Sequence, residues 1–147
     1  MRPIHRVVLA ALALALSLLV ACGGSISVLH AKGKPTGSGP ALVTVLNSSG
    51  KTIDKLFVAK TEDIDKAKAA HVDTGSADDL ALWGEDELDK SGIEEGKAYN
   101  YVKLAEGRYD VLVIDKGGRE QLIKGLRMKP GGRYVLEIGS DWTMGRL

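Results

Sequence analysis

The side chains best suited to covalent or acid–base chemistry are scarce in this 147-residue sequence: one cysteine, Cys22, and three histidines, His5, His30 and His71. Nucleophilic hydrolysis needs a nucleophile beside a base, with a third group to orient the base. No Gly-x-Ser-x-Gly elbow or His-Glu-x-x-His helix is present. His71 reads as a solvated residue at a helix end. Carboxylates are plentiful, including Asp78, Asp79, Glu85, Asp86 and Glu87. A glycosidase-like pair would need a cleft that raises the pKa of one member. Calcium takes six to eight oxygens, and Asp63-Ile64-Asp65 and Asp78-Asp79 supply some, but without EF-hand spacing. These acids read as a solvated face, with a divalent site as the alternative. Gly117-Gly118 and Gly131-Gly132 lack the lysine and following helix of a phosphate loop and fit turns between strands. The residues therefore imply no catalytic set and no cofactor.

Charge is distributed unevenly. From Glu62 to Glu95 there are twelve acidic residues against three lysines, whereas residues 96–147 carry ten basic against six acidic residues. The net charge of +1 gives no field for nucleic acid. Mutual neutralisation of the two blocks is the simplest reading. A basic face meeting anionic lipid or cell-wall polymer is the functional alternative. Trp142 lies in a tail, Asp141 to Leu147, that either folds back on its own domain or engages a partner. Asp78, Asp79, Trp83 and Trp142 are the candidate partner-binding residues.

Positioning these groups falls to three stretches of chain. Residues 1–21 combine Arg2 and Arg6 with an apolar run from Val7 to Ala21, the pattern of a secretory signal peptide and too short for a comfortable membrane span. Leu19-Val20-Ala21-Cys22 resembles the bacterial lipobox. That resemblance implies diacylglyceryl transfer to the Cys22 thiol, cleavage before it, and membrane attachment through acyl chains. Gly23 stands where an aspartate would favour inner-membrane retention, so the same resemblance implies an outer-membrane lipoprotein facing the periplasm in a Gram-negative cell. Residues 22–40, rich in Gly, Ser and Pro, read as a flexible tether spanning about 20–25 Å. Pairing of Ile26, Val28 and Leu29 as an edge strand is the alternative.

Residues 41–147 read as one β-rich domain. Strand signals cover Leu42–Leu46, Thr52–Ala59, Ala98–Leu104, Arg108–Asp115, Glu120–Met128 and Arg133–Ile138, separated by Gly, Asn and Pro turns. Thr61 is placed to cap a short helix over Glu62–Ala70. The expectation is a mainly β fold: a small antiparallel sandwich or open barrel of about six strands, with a helical or irregular excursion between the second and third.

Several short motifs sit in a familiar order: Asn47-Ser48-Ser49-Gly50, Thr52-Ile53, Trp83-Gly84-Glu85-Asp86-Glu87-Leu88, Glu95-Gly96, Tyr109-Asp110-Val111, then Asp115 and Gly117. The domain thereby resembles a group of small exported bacterial β-sandwich proteins of unknown function. The stretch between Thr61 and Leu82 is longer than that pattern. The resemblance implies a fold more than an activity, with Trp83 plugging one end of the core. The functional expectation is a non-enzymatic, lipid-anchored envelope module that binds an envelope protein or cell-wall component. A carboxylate-using hydrolase or an inhibitor of a foreign enzyme is the alternative.

Overall fold

The computed structural model describes residues 24–70 and 82–144. Its strands are β1 (Val28–Ala31), β2 (Ala41–Asn47), β3 (Ile53–Lys60), β4 (Ala98–Leu104), β5 (Gly107–Asp115), β6 (Arg119–Met128), β7 (Arg133–Ile138) and β8 (Thr143–Met144), with one helix, α1 (Thr61–Ala70), after β3. They form two four-stranded sheets, ordered β1-β7-β2-β4 and β3-β5-β6-β8, stacked as an open sandwich. The mainly β expectation holds, as does the position of the helical excursion. Two short edge strands, β1 and β8, add to the six expected.

Alternation in the sequence dictates which faces meet. Ala41, Val43 and Val45 of β2 and Tyr134, Leu136 and Ile138 of β7 are buried, and both sets point to the second sheet. Across the core stand Ile53, Leu56, Tyr109, Val111, Val113 and Met128. Two neighbours, β2 and β7, run parallel, with Leu42 opposite Arg133 and Asn47 opposite Ile138, and the remaining pairs are antiparallel. The return path between parallel neighbours runs through the other sheet, which locks the two layers together.

Bulges shift the alternation at three places: in β4, where Val43 faces Val102 but Val45 faces Tyr99, and in β3 and β6. In β3, Ile53 lies opposite Asp115 and Lys55 opposite Ile114, so one residue is extra. Leu56 therefore faces the core while Phe57 faces outward, where it packs with Leu112, Ile64 of α1 and Trp83. In β6, Ile123 faces Val111 but Leu126 faces Tyr109. The extra residue lies at Lys124-Gly125, and Gly125 takes a left-handed φ of 67° that favours glycine. Asp110, buried on the outer face of β5, holds this bulge by accepting the Gly125 amide at 2.8 Å and the Thr61 hydroxyl at 2.7 Å. Thr61 thus ties the start of α1 to β5 with its side chain.

The sandwich has two chemically different ends. Gly24 to Ser27, the Asn47–Lys51 turn, the Asp115–Arg119 turn and Gly139–Trp142 lie at one, hereafter the serine end. Residues 32–40, the β4–β5 turn and the β6–β7 turn lie at the other, the arginine end.

The flexible-tether reading fails for residues 25–40. β1 pairs with the free edge of β7, Val28 opposite Glu137 and Ala31 opposite Tyr134, and Leu29 packs against the core. Beyond it, Lys32 donates to the Arg133 carbonyl at 2.7 Å and Gly37 to that of Pro130 at 3.0 Å. Low side-chain hydrophobicity misleads here because an exposed sheet edge offers backbone partners that do not depend on composition.

Candidate functional site

At the arginine end the β6 bulge decides which side chains meet. Beyond Gly125 the β5–β6 register moves by one residue, which places Arg127 directly opposite Arg108. Both arginines are exposed on the outer face of the second sheet. A Cβ on Gly125 would come within 2.9 Å of a guanidinium nitrogen of Arg108, so the bare bulge leaves room for that side chain to lie across it. Like charges directly opposite one another destabilise a sheet. Among the described residues, the ion pairs are His30–Glu137, Glu62–Lys66 and Asp115–Arg119, and neither Arg108 nor Arg127 belongs to one.

Both arginines line a cavity of about 410 Å³, together with Lys129, Glu106, Met128, Pro130 and, from the N-terminal segment, Pro35 and Gly37. Its walls are fixed from beneath. The Tyr109 hydroxyl donates to the Ala105 carbonyl at 3.1 Å, holding the β4–β5 turn. The Lys129 amide donates to the Tyr134 hydroxyl at 3.0 Å, holding the β6–β7 turn. The Thr36 amide reaches the Gly131 carbonyl at 3.3 Å. Three cations against one carboxylate, beside Pro35 and Pro130, give the cavity a rim complementary to an anionic group. Paired guanidinium forks suit a carboxylate or phosphate, which they bind through parallel charge-assisted hydrogen bonds. The cavity presents no nucleophile beside a base.

The sequence-predicted residues lie elsewhere. Cys22, His71, Asp78 and Asp79 fall outside the described residues. Trp83 is only 8% exposed and packs with Phe57, Ile64 and Leu112 on the outer layer. It neither plugs the end of the main core nor presents its ring to a partner, because the β3 bulge turns Phe57 outward and builds a second apolar cluster for it. Leu88 of the same hexapeptide does enter the main core. Trp142 folds back on the domain: half-buried, it packs against the core, and its indole Nε1 donates to the Ser49 carbonyl at 3.1 Å.

The acids of the Trp83–Leu88 hexapeptide are occupied with structure. Asp86 accepts the Leu56 amide at 2.9 Å and the Leu88 amide at 3.0 Å, covering the free edge of β3. Partial burial, then the charges of Asp86 and Glu85, raise the pKa of Glu87 above the ordinary glutamate value. At the serine end, Asp115 accepts the Gly117 and Arg119 amides, both at 2.8 Å, and pairs with the Arg119 guanidinium at 2.9 Å. Burial alone would raise its pKa, but these hydrogen bonds and the Arg119 charge outweigh it and hold the carboxyl below the usual range. Among the described residues, no three His, Cys, Asp or Glu converge as a metal site.

Arg108, Arg127 and Lys129 escaped the sequence reading because strand charges ordinarily mean a solvated face. The available signal was Gly125 inside a strand, which marks a bulge. Comparison with profiles of known protein families, with curated proteins and with solved structures yields no match for this chain.

Proposed function

We propose that this protein is a lipid-anchored, non-enzymatic module of the cell envelope that binds an anionic group of another envelope component in the cavity between Arg108, Arg127 and Lys129. Cys22, its thiol diacylglycerylated and then made the N-terminus by signal-peptide cleavage, is the anchor, and the outer membrane facing the periplasm is the proposed location. The observation that carries the reading is the Arg108–Arg127 pair, two cations without an ion-pair partner among the described residues, placed opposite each other at a cavity. Such an arrangement costs folding energy and returns it when an anion bridges the pair.

The test is titration of the mature chain with cell-wall fragments bearing free carboxylates and, in a separate arm, with inorganic phosphate. Binding that weakens with added salt and disappears in the Arg108→Gln/Arg127→Gln double variant is the expected result. Equal affinity in the double variant would overturn the site. The two arms separate a carboxylate source from a phosphate source.

A further inference from the structure

The chain is secured at the serine end almost as soon as it enters the domain. Ser25 and Ser140 exchange hydrogen bonds: the Ser25 amide donates to the Ser140 hydroxyl at 2.9 Å, and the Ser140 amide to the Ser25 hydroxyl at 3.1 Å. Two residues on, the Ser27 hydroxyl accepts the Gly139 amide at 3.0 Å and donates to the Gln121 side chain at 2.7 Å. Gln121 in turn donates its amide to the Gly139 carbonyl. A side chain on Gly139 would collide with the Ser25 and Ile26 carbonyls, so the close approach depends on glycine there. β1 then continues along the edge of β7 toward the arginine end.

Only three residue steps separate Cys22 from Ser25. At full extension they reach about 10 Å, well short of a tether running to residue 40. From this clasp we infer that the acylated protein stands end-on upon the bilayer, with the Asn47–Lys51 and Asp115–Arg119 turns against the lipid headgroups and the arginine cavity facing away. The inference rests on the acylation of Cys22 proposed above. Its occupant is the surface of the anchoring bilayer itself. Charge does not select this pose, since the exposed Lys51, Lys97 and Lys116 there are balanced by Glu94, Glu95 and Asp141. The covalent link selects it. The six residues of β7 span about 20 Å between the ends. The cavity is thereby held clear of the headgroups of its own membrane, and its anion must come from the facing compartment.

The experiment uses the mature acylated chain in phosphatidylethanolamine–phosphatidylglycerol vesicles doped with a headgroup-nitroxide lipid. A fluorophore is placed on Lys116→Cys at the serine end or on Lys34→Cys at the arginine end, the Cys22 thiol being blocked by its lipid. The label at 116 loses most of its emission, while that at 34 keeps it. A flexible Gly/Ser insert of about 20 residues before Gly24 removes the contrast. Equal quenching at both positions, or contrast that persists with the insert, would overturn the end-on pose while leaving the anchor intact. A mature chain without acyl mass at Cys22 would instead bring down the anchoring reading and this inference together.

Discussion

The serine end and the arginine end use polar residues in opposite ways. At the serine end the buried polar groups are matched within the fold. Asn47, fully buried, donates to the carbonyls of Lys51 at 2.7 Å and Ile93 at 2.8 Å while its oxygen accepts from Ser49. Asp115 is saturated by two amides and a guanidinium. Among the described residues no buried side-chain polar atom lacks a partner. At the arginine end, by contrast, two arginines stand opposite each other in the strand register, and neither belongs to an ion pair among the described residues. The first end is organised for stability, and the second carries the proposed anion site. Buried polar groups stabilise only as closed networks, whereas exposed unpaired cations cost little and retain their affinity for a ligand.

The closed network of the serine end depends most on Asn47. Asn47→Leu removes one of two donors from each of the Lys51 and Ile93 carbonyls and strands the Ser49 amide, and should lower stability by about 3 kcal/mol, read from the urea midpoint. An unchanged midpoint would remove the closed-network account. Asp115→Asn should cost about 2 kcal/mol at pH 7. Because the Asp115 pKa is lowered in the fold, its contribution is complete above the ordinary aspartate range and is lost as the pH falls through and below it. The difference between wild type and variant should therefore shrink on acidification, and a pH-independent difference would contradict the assignment.

At the other end, Gly125→Ala forces a residue with a Cβ into a left-handed conformation against Arg108 and should cost about 1–2 kcal/mol. Anion binding should fall with it, because the bulge sets Arg127 opposite Arg108. Arg108→Gln alone should be neutral or stabilising by about 0.5 kcal/mol while weakening anion binding. A clear loss of stability would mean that the pair is satisfied within the fold. The smallest effect is expected at Glu87, much of which remains in solvent. Its raised pKa means that its charged form is disfavoured in the fold, so a small penalty develops as the pH rises through that pKa. Glu87→Gln should give a slightly higher thermal midpoint at neutral pH, with the difference vanishing in acid.

Much of the sandwich could be read in advance. Tyr134, Leu136 and Ile138 alternate with a period of two and all face the core. Turn residues separated the strands at the right places, because local φ preferences and side-chain alternation act over a few neighbouring residues. The candidate cavity could not be read in this way. In an unbroken β5–β6 hairpin Arg108 would face Leu126, and Arg127 would turn toward the core. One extra residue at Gly125 reverses that alternation. The Trp83–Leu88 hexapeptide, read for its acids, uses Asp86 to cap a strand edge and sends Trp83 and Leu88 into different clusters.

The amino-acid sequence by itself determined the mainly β character, the six principal strands and the helix after the second of them, because hydrophobic period and turn chemistry are local properties of the chain. Tertiary structure alone decided three things: that Ser25 to Pro40 belongs to the domain, that Trp142 closes onto the Ser49 turn, and that two arginines nineteen positions apart share one cavity. Each depends on which backbone edge is free and on where a bulge shifts the register. Those are relations between distant segments, fixed only when the two sheets pack.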